Sequence, residues 1–345
     1  MKTIVVASTR RNGGKTSLVI GLANALGRSF GYIKPFGDRL LYRKKRLWDY
    51  DAALISGLLG SAENAERLTL GFERAKLRYM YAAEEIGEKV ASLAKAAGEG
   101  KELLFAEGGA DLAQGVSVRL DALSVAAYLK ARLVILVSGN EDQVVDDVAF
   151  LRRHIDTAGL DFAGVVVNRI HDVEDFRAAN LDDVEKLGVK VLGVMPYQPE
   201  LTYVSVQYLA EALFARVIAG EQGLGKAVKT VFVGASSADA ALRSPLFARP
   251  DKLIITSGDR ADMVLAALES DTAAVVLAHN ILPPPNIISK ASERGIPLLL
   301  VPADTFQAAK QVDDMEPLIT RDETAKIDLL TEMVKAHVDI KALLG

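Results

Sequence analysis

Residues 9–17 read Thr-Arg-Arg-Asn-Gly-Gly-Lys-Thr-Ser, and their types are those that hold a phosphate. Gly13 and Gly14 let the backbone curl so that successive N–H groups point into one concavity. The positive end of a following helix faces the same point. Lys15 is placed to reach the outer phosphates of a nucleotide, and Thr16 to offer its hydroxyl to Mg²⁺. Asn12, Gly13, Gly14, Lys15, Thr16 and Ser17 are therefore the expected nucleotide contacts. The standard pattern G-x-x-x-x-G-K-[ST] has glycine where this chain has Thr9. The first turn must then be made without glycine's freedom of φ.

A second group carries complementary chemistry. The apolar run Leu103–Ala106 ends in Glu107-Gly108-Gly109-Ala110. A strand holds such a carboxylate rigidly beside a metal ion, and the glycines keep the approach clear. Glu107 is thus an expected Mg²⁺ ligand together with Thr16. Asp111 is a nearby acid that can share the role.

The elements that must position these groups follow from the hydrophobic pattern. Short apolar runs (Thr3–Ala7, Tyr32–Ile33, Glu102–Ala106, Leu133–Val137, Ala163–Val167, Val189–Val194) alternate with helix-period segments (Thr16–Arg28, Glu73–Ala97, Asp121–Ala131, Asp142–Ala158). That alternation predicts an α/β fold, a mostly parallel sheet flanked by helices. Ligands bind at the carboxyl ends of such strands, where the groups above fall. Residues 219–229 hold Gly220, Gly223 and Gly225 and read as a linker. Beyond it strands are expected at Thr230–Gly234, Leu253–Ser257, Ala273–Leu277 and Pro297–Val301. The expected organisation is a P-loop domain over 1–218, a second, smaller α/β domain over 229–320, and a helical tail over 321–345.

Composition narrows the function classes. The chain has 345 residues, half of them hydrophobic and a quarter charged, with net charge −4. This argues for a packed globular protein and against general binding to nucleic acid or an anionic membrane. There is no cysteine, which removes thiolate chemistry and is compatible with a reducing cytoplasm. The four histidines are scattered, without metal-ligand spacing. No signal-peptide layout and no membrane-length apolar run is present.

The loop, a small-residue start with Gly14-Lys15-Thr16 kept, resembles the dethiobiotin-synthetase branch of the P-loop proteins. Within it the chain looks most like the nucleotide-binding domain at the N-terminus of long bacterial phosphotransacetylases. Arg10 stands where MinD/ParA relatives carry a second lysine, so a dimer switch of that type is not expected. The resemblance implies further roles. Lys34, in Gly31-Tyr32-Ile33-Lys34-Pro35, matches a lysine that faces phosphate and substrate. Asp51 matches a magnesium-associated carboxylate, although Asp49 or Asp51 can equally be a helix N-cap. Asn168, at the end of Gly164–Val167, matches an asparagine whose amide reads the adenine edge; an amide both donates and accepts. Val191–Tyr197 matches a segment bordering the base. The basic stretch Arg39, Arg43, Lys44, Lys45, Arg46 lies beside this site and reads as a loop able to close over an anion.

Ile254–Asp262, with Gly258-Asp259-Arg260, resembles the DRTGG domain that follows the P-loop domain in those fusions. Its Thr-Gly-Gly is absent here, replaced by Ala278-His279-Asn280. The resemblance covers about 1–215 and 220–330, and does not extend to a phosphotransacetylase catalytic domain. It implies an ATP–Mg²⁺-binding regulatory or nucleotide-sensing protein with a separate metabolic enzyme as partner. The alternative is an ATP-dependent ligase activating a carboxylate or carbamate, with Lys15, Lys34 and Glu107 as catalytic groups. A homodimer formed through the second domain is also expected, with the apolar loop Ile281–Pro285 as contact.

Overall fold

The computed structural model describes residues 1–43, 46–60 and 62–345. The chain divides into two units, one of residues 1–198 with 319–345 and one of residues 199–318.

The first unit contains β1 (Lys2–Ser8), β2 (Phe30–Ile33), β3 (Leu40–Arg43), β4 (Arg46–Asp49), β5 (Leu103–Glu107), β6 (Arg132–Ser138), β7 (Asp161–Ile170) and β8 (Val191–Pro196). Six of these form a sheet in the order β2-β5-β1-β6-β7-β8, and every pairing in it is parallel. Parallel strands covered on both faces read as continuous apolar runs. Accordingly β5 and the last six residues of β6 are wholly buried. The order reverses beside β1, so the crevice for a ligand opens after that strand. There the helix α1 (Lys15–Leu26) begins, and α2 (Tyr50–Leu58) follows the β3–β4 hairpin.

Two expectations change within this unit. The single helix expected over Glu73–Ala97 is two, Arg74–Met80 and Ile86–Gly98; Tyr81 leaves the helix in an extended conformation. The basic stretch is a hairpin rather than an open loop, with Leu40 paired to Asp49 and Arg43 to Arg46. Lys44 and Lys45 lie outside the described residues.

The second unit contains β9 (Val204–Ser205), β10 (Arg216–Ala219), β11 (Ala227–Val228), β12 (Thr230–Val233), β13 (Lys252–Ser257), β14 (Thr272–Ala278) and β15 (Leu298–Leu300). Its main sheet runs β10-β15-β14-β13-β12, parallel except for β10. Two apolar clusters cover its faces, one around Ile254, Val275 and Leu277, the other around Leu253, Ile255 and Val276.

The sequence boundary at 218 falls inside this unit, and the segment read as a linker is part of its fold. β10 pairs with β15 and β11 with β9. Two of the three glycines serve close approach: a Cβ at Gly220 would lie 2.2 Å from the Ile296 carbonyl oxygen, and one at Gly223 would lie 2.3 Å from that of Gly295. The loop Ile281–Pro285 also has a local task. Pro284 and Pro285 open the helix Pro285–Arg294, where a missing N–H costs nothing, and Pro283 is buried. The tail belongs to the first unit, where the helix Thr324–His337 packs on α1 through Leu330 and Val334. Among the described residues no helix is long and apolar enough to cross a membrane.

Candidate functional site

The turn between β1 and α1 forms without a glycine at position 9. The Thr9 N–H donates to the Leu136 carbonyl (3.0 Å), and its hydroxyl donates to Asp147 (2.7 Å). Arg10 closes the same carboxylate with two hydrogen bonds of 2.8 and 2.9 Å. The left-handed steps fall instead at Asn12 (φ 59°) and Gly14 (φ 96°). An asparagine tolerates that region better than most side chains. Gly14 is the N-cap of α1 and no side chain caps it. A helix start left so offers its first N–H groups to an anion. Arg10 is thus engaged with Asp147 rather than turned to the cradle.

Lys15 is buried and donates to the Ser8 hydroxyl (3.0 Å) and the Ala110 carbonyl (3.3 Å). Burial lowers its pKa, opposed by the charge of Glu107. Thr16 donates to Glu107 Oε1 (3.0 Å), and Tyr32 donates to Glu107 Oε2 (2.9 Å). Glu107 is 2% exposed. Burial and then the charge of Asp51 push its pKa up to about 7, against the pull of Lys34 and Lys15. Ser17 is half-buried in the first turn of α1.

Lys34, 1% exposed, is surrounded by acid. Its ammonium lies 2.5 Å from Asp51, 3.5 Å from Asp49 and 3.9 Å from Glu107, and pairs with Asp38 as well. Burial alone would lower its pKa; Asp51, Glu107, Asp49 and Asp38 outweigh that and hold it above the usual lysine value. Arg39 adds a second cation on Asp51 (3.0 Å) and donates to Asn12 Oδ1 (2.7 Å). Lys34 and Arg39 together hold the Asp51 carboxyl below its usual pKa despite burial.

The two aspartates divide their tasks. Asp49 caps α2, accepting from the N–H groups of Asp51 and Ala52, and its other oxygen accepts from those of Asp38 and Arg39. Asp51 faces the cations. Asp38, Asp49 and Asp51 offer carboxylate oxygens within 4.8 Å of one another. Asp111 does not join them, because its Oδ1 accepts from the Ala113 and Gln114 N–H groups and shapes its own turn. Asn168 is buried against the loop, with Nδ2 donating to the Gly13 carbonyl at 2.9 Å.

The structure therefore brings Lys15, Thr16, Lys34, Asp51 and Glu107 into one buried group, with Asn168 at the loop's other side. Tyr32, Asp38 and Arg39 belong to it too. For Tyr32 and Asp38 the signal in the sequence was only proximity to Lys34, whereas Arg39 belongs to the basic stretch beside the site.

A family model for the AAA domain matches residues 2–205. The chain belongs to this family. The AAA domain supplies the whole buried group, and a DRTGG domain is matched over 208–315. Phosphate acetyltransferases of Pseudomonas aeruginosa and Nitrosomonas europaea are each 26% identical to the chain. The first match covers 99% of this chain and 52% of that protein, the second 98% and 50%. The chain spans about half the length of the curated relatives it matches. Among solved structures, the CBS and DRTGG domains of a Clostridium perfringens pyrophosphatase regulatory region, complexed with diadenosine tetraphosphate, overlap 38% of this chain and 60% of that one. The identity is 19% and the TM-score 0.29, too low to carry an argument.

Proposed function

We propose that the chain is an ATP–Mg²⁺-binding regulatory module whose AAA domain senses nucleotide and whose DRTGG domain relays its state. The uncapped, glycine-opened start of α1, with Lys15 and Thr16 buried behind it, carries this reading. The donor set suits Mg²⁺, which takes hard oxygen ligands and few of them from protein. Thr16 and Glu107 would hold it, with Asp51 joining once Lys34 and Arg39 release a carboxylate oxygen. When bound, the ion neutralises charge on the outer phosphates. Lys15 contributes a cation to the same phosphates, and Tyr32 holds the Glu107 carboxyl in place.

Sensing is favoured over ligase chemistry by the state of Lys34. Its ammonium is fully enclosed by carboxylates, so no substrate reaches it until those contacts rearrange. A group that must change partners when nucleotide arrives is suited to reporting its presence. The likeness to phosphate acetyltransferases supports that catalysis as the activity to be regulated. Calorimetry with Mg-ATP tests the reading: Lys15→Ala should abolish binding, and unchanged affinity would end it.

We also infer a homodimer built through the second unit. The edge strand β12 carries the argument, since Val231 and Val233 are 44% and 41% exposed and nearby Leu242 and Leu246 are exposed as well. An apolar unpaired edge is a template for a second strand. Charging it with Val231→Lys plus Val233→Lys should give a monomer in light scattering. A dimer that persists, or a wild type already monomeric at micromolar concentration, contradicts this.

A further inference from the structure

Strand β7 does not run evenly beside β8. Val167 pairs with Val194, but Ile170 pairs with Pro196, so three steps along β7 meet two along β8. The extra residue makes a bulge at Asn168-Arg169, and Arg169 takes a left-handed φ of 66°. Bulges re-aim side chains, and they concentrate beside functional sites.

Asn168 stands at the start of this bulge, still paired with Ser138 of β6, and is 7% exposed. Its Nδ2 donates to the Gly13 carbonyl (2.9 Å), and its Oδ1 accepts from the Arg169 N–H (3.0 Å). The donor side of the amide is bound to the loop and the acceptor side to the bulge. A Cβ at Gly14 would lie 2.4 Å from this Nδ2, so glycine at 14 makes room for the amide as well as for its own φ.

We propose that Asn168 positions the phosphate loop instead of reading a base. A peptide group is planar and trans, so its C=O and N–H point in opposite directions. Drawing the Gly13 carbonyl toward Asn168 therefore turns the Gly14 N–H to the other side of that peptide. The β7 bulge thus sets the orientation of one cradle N–H from a strand two positions away in the sheet. The buried hydrogen bond resists the alternative peptide orientation, because breaking it leaves a carbonyl and an amide without partners. This inference rests on the P-loop reading for its affinity arm, and has a ligand-free arm that does not.

Two variants test it. Asn168→Asp keeps the shape and the acceptor for the Arg169 N–H but cannot donate to Gly13 when ionised. Asn168→Ala removes both contacts without adding charge. Each is measured against Mg-ATP, Mg-GTP and inorganic tripolyphosphate, with a melting curve to show that it folds. The expected result is a loss of roughly tenfold, by the same factor for all three ligands, as follows from one lost buried hydrogen bond. Loss confined to ATP, with tripolyphosphate unchanged, would make Asn168 a base reader and overturn the proposal. In the ligand-free protein, hydrogen exchange of the Leu18 N–H, which donates to the Gly14 carbonyl at 2.9 Å, should accelerate in both variants. An unchanged Leu18 rate in a folded variant also overturns it. If wild-type protein binds none of the three ligands, the P-loop reading falls, and the exchange result still decides the clamp.

Discussion

The two units place buried lysines at opposite ends of their strands. In the first unit Lys34 lies just past the carboxyl end of β2, among Asp38, Asp49, Asp51 and Glu107. In the second, Lys252 opens β13 at its amino end and donates to two backbone carbonyls, Asp271 (2.7 Å) and Arg249 (3.3 Å). The carboxyl end of β13 leads to Gly258-Asp259-Arg260, a strand–glycine–helix sequence like that of the phosphate loop. Yet Arg260 is turned outward, bound to its neighbour Asp262 and to the Ser236 carbonyl. Similar topology does not make similar sites. A charge buried among carboxylates is strongly coupled to its partners, whereas one sealed by neutral carbonyls serves the fold.

Stability measurements should sharpen this contrast most. Lys34→Met removes a cation from four acids and should cost about 3–5 kcal/mol in urea unfolding, the range for a broken buried ion pair. Lys252→Met leaves two carbonyls without a donor, removes a cation from over the Phe247 ring, and should cost about 1–2 kcal/mol. Equal costs would erase the distinction.

Glu107 gives the next effect. Its folded pKa of about 7 lies above the ordinary 4.5, so between those values the folded state holds more proton than the unfolded state. The ligand-free protein should therefore lose stability from this group as pH rises through 7. Glu107→Gln removes that loss. Its melting temperature should exceed wild type at pH 8, by an amount corresponding to roughly 1–3 kcal/mol, and approach it near pH 5. A difference independent of pH would show that the carboxyl is already ionised with no penalty.

The smallest effect is expected at Arg260. Its partner Asp262 is half-exposed, so Arg260→Ala should shift stability by less than about 0.5 kcal/mol. It should leave nucleotide affinity unchanged. A larger loss would give the second unit a site resembling the first.

What could be read without coordinates was mainly local. Gly14-Lys15-Thr16 and Glu107 announce themselves because each motif sits at a strand end, and the strands are short unbroken apolar runs. The match between Lys34 and Asp51 was also available by resemblance, but not their direct contact. Arg39 looked like one basic residue among five, and only folding sets it on Asp51 and Asn12. Asp111 resembled a metal ligand by position, while its actual partners are N–H groups two and three residues on. The contacts proposed to make Asn168 a clamp lie at a bulge, which adds a residue to one strand without leaving a sign in hydrophobic periodicity. Residues 219–229 were misread for a related reason. Glycine marks both freedom and crowding, and the sequence does not distinguish them.

The route of the chain through its two units bears on the order of its folding. The helix Thr324–His337 belongs to the first unit, but residues 199–318 intervene before it is synthesised. At about 5–20 residues per second, that interval lasts on the order of ten seconds. During it the back of α1 lacks Leu330 and Val334, the side chains that finally cover it. The start and the support of the same helix are thus made on either side of the whole second unit. A chain arrested within 199–318 carries its phosphate loop on a helix whose Gly21 side still lacks the cover of Leu330 and Val334.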